Sequence, residues 1–307
     1  MREVDRLDDE YSPGRAARDA VATVLRYRLR GDDARSRLTV HESVPYGDHP
    51  AERCHVFPAS PTATGGCAGR AASGTAVVVF VHGGHWQESG LDEACFAAED
   101  VVTRGHAFAA VGYGLAPDRR IPDMVAAVRR ALTWLAGNGD RFGIDPDRLY
   151  VAGSSAGAHL LAAALAGGPV PPVRGACLMS GLYDLTEIPR TYVNDAVGLT
   201  SKSARRWSPL RMPAPRCGAV LLAVGEHETR TYLRQQAAYA SYLRAFEVTV
   251  TERVVPDRDH FDLPLDLARP STPFGRASCR HLGLAEPPGP GERHDDEERR
   301  GTETRSS

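Results

Sequence analysis

The stretch Leu149-Tyr150-Val151-Ala152-Gly153-Ser154-Ser155-Ala156-Gly157-Ala158-His159-Leu160 constrains the fold of this chain more than any other. An apolar strand end runs into a tight Gly-Ser turn and directly on into an Ala/Leu-rich helix. Gly153-x-Ser155-x-Gly157 has the form of a nucleophile elbow, in which a serine sits on a sharp strand-to-helix turn. A Cβ on either flanking glycine is expected to collide with the neighbouring strand or helix. The helix N-terminus favours negative charge developing beside the hydroxyl. Ser154 is out of frame, so Ser155 is the candidate nucleophile. In a chain this rich in glycine and serine the pattern also arises by chance. Its weight comes from its flanks and from partners elsewhere.

The flanks support it. Residues 76–81, Ala-Val-Val-Val-Phe-Val, form a β-branched run of the kind buried on both faces of a parallel sheet. Further strands are predicted at 38–44, 54–57, 107–111, 149–151, 176–179, 219–224 and 248–254. Helical patterns fall between them near 91–104, at 124–135 and at 232–246, and an apolar stripe at Ala17, Val21, Val24, Leu25 and Leu29 predicts another. Asp145-Pro146-Asp147 reads as a turn. Strands alternating with helices mean an α/β fold with a mainly parallel central sheet and helices on both faces.

One domain over 1–285 is expected, with a mobile arm at 1–12 and a disordered C-terminal tail at 286–307 rich in Pro, Gly, Glu, Arg and Asp. Residues 58–74 read as a loop, and 184–215 as a small cap-like insertion over the carboxyl edge of the sheet. A formal net charge of −2 gives no electrostatic case for nucleic acid or an anionic membrane as partner. No apolar run has the length of a membrane span and no secretory signal is visible, so the expected location is the cytoplasm. The six cysteines are scattered without metal-ligand spacing and are expected as free thiols.

An activated serine needs a base, an orienting acid and an oxyanion hole. In α/β-hydrolases the order is Ser, acid, His, with part of the hole built by a glycine loop after an earlier strand. His82-Gly83-Gly84 directly follows the strongest strand, so the N–H groups of Gly83 or Gly84 and of Ala156 are the candidate oxyanion hole. His82 and His85 suggest no third metal ligand nearby, and no metal or organic cofactor is expected. His260, just after the last predicted strand, is the candidate base. His159 shares the elbow helix with Ser155 and is expected to be packed or hydrogen-bonded instead. For the acid, Glu226 and Glu228 follow the strand at 219–224, and Asp184 is a rival after the preceding strand.

Together these segments resemble the kynurenine formamidase (arylformamidase) branch of the α/β-hydrolases. The resemblance is carried by His82-Gly83-Gly84-His85-Trp86-Gln87, by Gly153-Ser154-Ser155-Ala156-Gly157-Ala158-His159-Leu160 and by Ser180-Gly181-Leu182-Tyr183-Asp184-Leu185. Val44-Pro45-Tyr46-Gly47, Val193-Asn194-Asp195-Ala196 and Asp259-His260-Phe261 also fit. It spans about residues 11–284. Where the family usually has His-Asp-Ser, this chain has His227-Glu228-Thr229, so the resemblance implies Glu228 as the acid, one methylene longer than aspartate.

The resemblance implies hydrolysis of an N-formyl arylamide, typically N-formyl-L-kynurenine to L-kynurenine and formate in tryptophan breakdown. It further implies a substrate pocket involving His82, His85, Trp86, Tyr183 and Asn194, with the aromatic half of the substrate under the 184–215 segment. The same machinery fits a carboxylesterase on short-chain aryl esters or a deformylase of a specialised pathway. An inactive binding protein of this fold typically lacks the serine, the histidine or the glycine loop, and all three are present. The expected partner is a small-molecule formamide or ester, with homodimer formation left open.

Overall fold

The β-branched run at the centre of the sequence lies at the centre of a single sheet. The structure, a computed structural model, describes residues 3–60 and 74–284. Its strands are β1 (His41–Pro45), β2 (Arg53–Phe57), β3 (Thr75–Val81), β4 (Ala107–Val111), β5 (Ile144–Ser154), β6 (Val173–Met179), β7 (Val220–Gly225) and β8 (Val250–Val255). They lie in the order β1-β2-β4-β3-β5-β6-β7-β8. The β1/β2 and β2/β4 pairs are antiparallel and every later pair is parallel.

Period-two alternation sends β3 side chains into two separate cores. Val77, Val79 and Val81 join Val151 on the face covered by α4 (Ile121–Asn138) and α5 (Ala156–Leu165). Val78 and Phe80 join Phe96, Val101 and Phe274 on the face covered by α3 (Ala98–Val102) and α9 (Pro273–His281). This two-sided burial is why the run reads as uninterrupted β-branched residues instead of alternating polarity.

β5 begins earlier than its sequence suggests and takes in the expected turn at Asp145-Pro146-Asp147. The turn chemistry survives inside it, since the Asp147 N–H donates to Asp145 Oδ1 at 2.9 Å. The pairing with β3 is irregular between Thr75 and Val77, where that segment sits.

Two N-terminal segments are helical. Within 1–12, expected as a mobile arm, α1 (Glu3–Glu10) is a helix, and it is followed by a fully buried Tyr11 whose hydroxyl donates to Glu187 Oε2 at 2.9 Å. The apolar stripe does form a helix, α2 (Ala20–Arg37), but Val21, Leu25 and Leu29 face outward, 82%, 54% and 58% exposed. The inward face uses Thr23, Tyr27, Gly31 and Ala34 instead. A Cβ on Gly31 would stand 2.3 Å from the Asp92 carbonyl oxygen, so only glycine permits this approach.

The 184–215 segment carries two short helices, α6 (Asn194–Val197) and α7 (Ser201–Arg206), and is tied down by Leu210 N–H donating to the Tyr183 carbonyl at 3.0 Å. A longer helix, α8 (Arg230–Ala245), connects β7 to β8. Among the described residues Cys54, Cys95, Cys177, Cys217 and Cys279 form no disulfide. No described helix is long and apolar enough to cross a membrane. Cys67, most of the expected loop at 58–74 and the tail at 286–307 lie outside the described residues.

The antiparallel edge is clamped to α4 by a buried carboxylate. Glu52, 2% exposed, accepts from Arg119 Nη2 at 2.9 Å and from Arg130 Nε at 3.1 Å. Removing it leaves two guanidinium groups without their anion, although the half-exposed Arg130 can turn to water. Glu52→Ala is expected to cost about 2 kcal/mol in denaturant unfolding, with catalysis retained. An unchanged unfolding midpoint would contradict that role.

Candidate active site

Ser155 stands at the end of β5 with φ +54° and ψ −119°, outside the ordinary regions for an L-residue. The strain is held by packing on both sides. A Cβ on Gly157 would lie 2.0 Å from the Val81 carbonyl oxygen, and one on Gly153 would lie 2.9 Å from the Gly157 carbonyl carbon. The Ser155 N–H donates to the Met179 carbonyl at 2.8 Å, and its own carbonyl accepts the His159 N–H at 3.1 Å as α5 begins. The expected collision of any added Cβ is therefore what the structure contains.

The glycine loop closes over this turn. A Cβ on Gly83 would meet Ser155 Cβ at 3.1 Å and the Ser154 carbonyl oxygen at 3.0 Å, so the loop backbone abuts the serine. Gly84 has φ +98°, followed by His85 at +46° and Trp86 at +63°. This left-handed run folds residues 83–86 back over the carboxyl end of the sheet. Ala156, the first residue of α5, presents its backbone at the helix N-terminus beside Ser155.

His260 and Glu228 meet at the next strand ends. His260 Nδ1 is 2.8 Å from Glu228 Oε2, and both side chains are buried. The other carboxylate oxygen, Oε1, accepts the Gly225 N–H at 3.1 Å and the hydroxyl of Ser180. The His260 loop is built around Asp259, whose Oδ1 accepts the Phe261 and Asp262 N–H groups at 2.9 and 3.0 Å. Asp259 Oδ2 accepts the Arg18 N–H at 3.0 Å, tying the N-terminal segment to this loop.

The rival acids lie elsewhere. Glu226 is exposed and accepts the Asp257 N–H, while Asp184 pairs with Arg211 at 3.3 Å. Ser180 and Asp259 enter the sequence reading only as members of motifs that carry the resemblance, with no role of their own. The Ser180-Gly181 dipeptide after a buried strand was the available signal, and nothing local said that its hydroxyl would reach a residue 48 positions away.

Ser155, His82, Gly83, Gly84 and His260 line one cavity of about 340 Å³. Its remaining wall is largely apolar and aromatic, including Tyr27, Phe80, Phe96, Phe261 and Pro264, with Glu88 at one side. Of the expected pocket residues, only His82 lies on this wall. Trp86 is fully buried and donates from Nε1 to His159 Nδ1 at 3.1 Å. Tyr183 is stacked on Tyr239 with ring centroids 4.0 Å apart. Asn194 binds the Leu199 backbone through both ends of its amide. His85 Nε2 lies 3.0 Å from the Tyr232 hydroxyl. None of the residues 184–215 lines this cavity, whose wall is drawn partly from α2 and from residues 88–96.

Three histidines near the site are held neutral. Burial pulls His82 and His159 down to about 4, and burial together with the neighbouring His260 does the same to His85. His159 accepts from Trp86 at Nδ1 and lies 2.9 Å from the Trp207 carbonyl at Nε2, which fixes its proton on Nε2. As expected from its place on the helix, it packs and does not face Ser155. A metal-type cluster among the described residues, Glu226, His227 and Asp257, is exposed, and the Arg18 guanidinium already sits 3.0 Å from Asp257. That positive charge disfavours a cation.

A histidine depressed on folding binds its proton more readily in the unfolded chain. Its contribution to stability is therefore complete above its ordinary value near 6.5 and is lost as the pH falls toward about 4. The melting temperature is expected to drop through that window, and His159→Gln, lacking one such group, to drop less steeply. Parallel melting curves for parent and variant across the window would count against this assignment.

Comparison with known proteins places this geometry among hydrolases. A family model described as BD-FAE matches residues 68–169. Kynurenine formamidase of Salmo salar is 31% identical over 277 residues, covering 84% of this chain and 90% of its own length. Carboxylesterase NlhH of Mycobacterium tuberculosis is 41% identical over 92 residues, 28% of this chain and 27% of its own. A crystal structure of a candidate thioesterase from Silicibacter has a TM-score of 0.74 at 25% identity, covering 88% of this chain and 97% of that one.

Proposed function

The chain belongs to the kynurenine formamidase family of α/β-hydrolases, and on that premise we propose that it hydrolyses an N-formyl arylamide, N-formyl-L-kynurenine foremost, to the arylamine and formate. The observation that carries this reading is the 2.8 Å contact between His260 Nδ1 and Glu228 Oε2 beside a serine held in the elbow conformation. A carboxylate on Nδ1 keeps the His260 proton there and leaves Nε2 free to take one.

The steps follow from that proton placement. Ser155 Oγ attacks the formyl carbon as His260 Nε2 takes its proton. The oxyanion is held by backbone N–H groups of Gly83 or Gly84 and of Ala156, at the positive end of α5. His260 returns the proton to the departing aryl nitrogen as the C–N bond breaks, leaving a formyl-serine. Water, deprotonated by His260, adds to that ester and formate departs with Ser155 reprotonated. An aniline-type leaving group needs less protonation than an alkyl amine, so esterase machinery suffices for this amide. Tyr27, Phe80, Phe96 and Phe261 offer flat apolar surface to an aryl ring, a role that replaces the expected site under 184–215.

The likeness to carboxylesterase NlhH over 92 residues supports a second reading with the same machinery, in which short-chain aryl esters are the better substrates. Relative kcat/KM for N-formylkynurenine and p-nitrophenyl acetate separates the two.

Ser155→Ala is expected to abolish formation of the kynurenine absorbance band from N-formylkynurenine. Glu228→Gln, which keeps size but loses the charge that orients His260, is expected to lower kcat by about 10⁴. Full turnover by Ser155→Ala would overturn the mechanism, and full turnover by Glu228→Gln would overturn the acid.

A further inference from the structure

We infer that Ser180 is a positioning residue, its buried hydroxyl holding Glu228 in the orientation that presents one carboxylate oxygen to His260. The inference rests on the reading of Ser155, His260 and Glu228 as a triad given above.

Ser180 is the first residue beyond β6 and is 1% exposed. Its φ is +51°, in the left-handed region that favours glycine. The backbone is fixed there from both sides. The Ser180 N–H donates to the Ala223 carbonyl at 2.8 Å, just past the last β6/β7 pair, Met179 with Ala223. The turn that follows is pinned to α8, where Gln235 Oε1 accepts the Tyr183 and Asp184 N–H groups, each at 2.8 Å. Glycine would adopt this backbone without steric cost, yet the chain carries a serine. Strain kept at a buried position directs attention to what its side chain does.

That side chain has one described partner. Ser180 Oγ donates to Glu228 Oε1, the oxygen that does not meet His260. An ionised carboxylate only accepts hydrogen bonds, so the hydroxyl is the donor. The Gly225 N–H reaches the same oxygen at 3.1 Å, and the Glu228 side chain is fully buried. Among the described residues no arginine or lysine pairs with Glu228, so hydrogen bonds and not a counter-ion set its orientation.

Glutamate has one torsion more than aspartate, and its terminal torsion is broad, so the carboxylate plane turns easily. With the Gly225 N–H alone on Oε1, the plane could swing about that single contact. A second donor from another strand end stops the swing: β7 supplies one and the turn after β6 the other. Two fixed points on Oε1 leave Oε2 facing His260 Nδ1, 2.8 Å away. His260 thereby keeps its proton on Nδ1, with Nε2 open to the proton of Ser155. Ser180 lines no part of the cavity that holds Ser155 and His260, so its effect on the reaction passes through Glu228.

The test is Ser180→Gly beside Ser180→Ala. Both remove the hydroxyl, but glycine suits a φ of +51° and alanine does not. In both, kcat is expected to fall about 10- to 100-fold, with KM changed by less than about twofold. Ser180→Gly should melt above Ser180→Ala and still be as slow, so that the loss of rate does not track stability. In a Glu228→Gln background, Ser180→Gly should cost less than about threefold further, since the group it positions is already impaired. Parent-like kcat in Ser180→Gly, a loss confined to KM, or an undiminished loss in the double variant would overturn the inference. Glu228→Gln alone, run alongside, separates the two levels. Full turnover there removes the triad reading itself, whereas a slow Glu228→Gln with a parent-like Ser180→Gly removes only the role of Ser180.

Discussion

The rest of the structure depends on one close approach, the N-terminus of α5 against the end of β3. No atom beyond hydrogen fits between Gly157 and the Val81 carbonyl, since an added Cβ would stand 2.0 Å away. That contact lets the chain turn from β5 into α5 within one residue, and the turn forces Ser155 to φ +54°. Strain of this kind persists only where the surroundings over-determine it. Here the surroundings are two buried cores, one on each face of the same sheet, which hold β3 and β5 in register. The position of the serine is thus a consequence of packing far larger than the site.

The carboxylate that meets His260 is held in the same way. Glu228 has one oxygen on His260 and the other shared between the Gly225 N–H and the Ser180 hydroxyl. A glutamate reaches further than an aspartate and has one more torsion to restrain. Two donors on Oε1 restrain it, one from the end of β7 and one from the end of β6. The contacts therefore draw on the ends of four adjacent parallel strands: β5 for the serine, β6 for Ser180, β7 for the glutamate and β8 for the histidine loop. Parallel strands place all of these ends on one edge of the sheet, which is where such folds build their sites.

The cavity shows the limits of pattern. A stripe of Val21, Leu25 and Leu29 has the spacing of a core-facing helix, yet these side chains stand in solvent while Thr23, Gly31 and Ala34 face inward. What decides the face of α2 is the approach of its backbone to Asp92 at Gly31, with ion pairs from Arg30 to Asp100 and from Arg35 to Asp92. Periodicity finds the helix but not the face it buries, because small and charged residues can dock a helix when the partner surface supplies carbonyls and carboxylates. Placing α2 this way puts Tyr27 on the cavity wall, which takes no residue from the 184–215 segment.

By itself the sequence determined the α/β alternation, the elbow at Ser155, the glycine loop at Gly83 and Gly84, and His260 as the late histidine. All of these are local. A buried parallel strand writes itself as consecutive β-branched residues, and a backbone that must touch another backbone writes itself as glycine. Only the tertiary structure decided which of Glu226, Glu228 and Asp184 meets His260, that Ser180 bonds to Glu228 and Asp259 builds the His260 loop, and that Trp86, Tyr183 and Asn194 are packed away from the cavity. Those outcomes turn on side chains tens to hundreds of positions apart reaching within about 3 Å of each other. A hydrogen bond of that kind leaves no periodicity, no spacing and no local composition behind, so no stretch of chain read alone contains it.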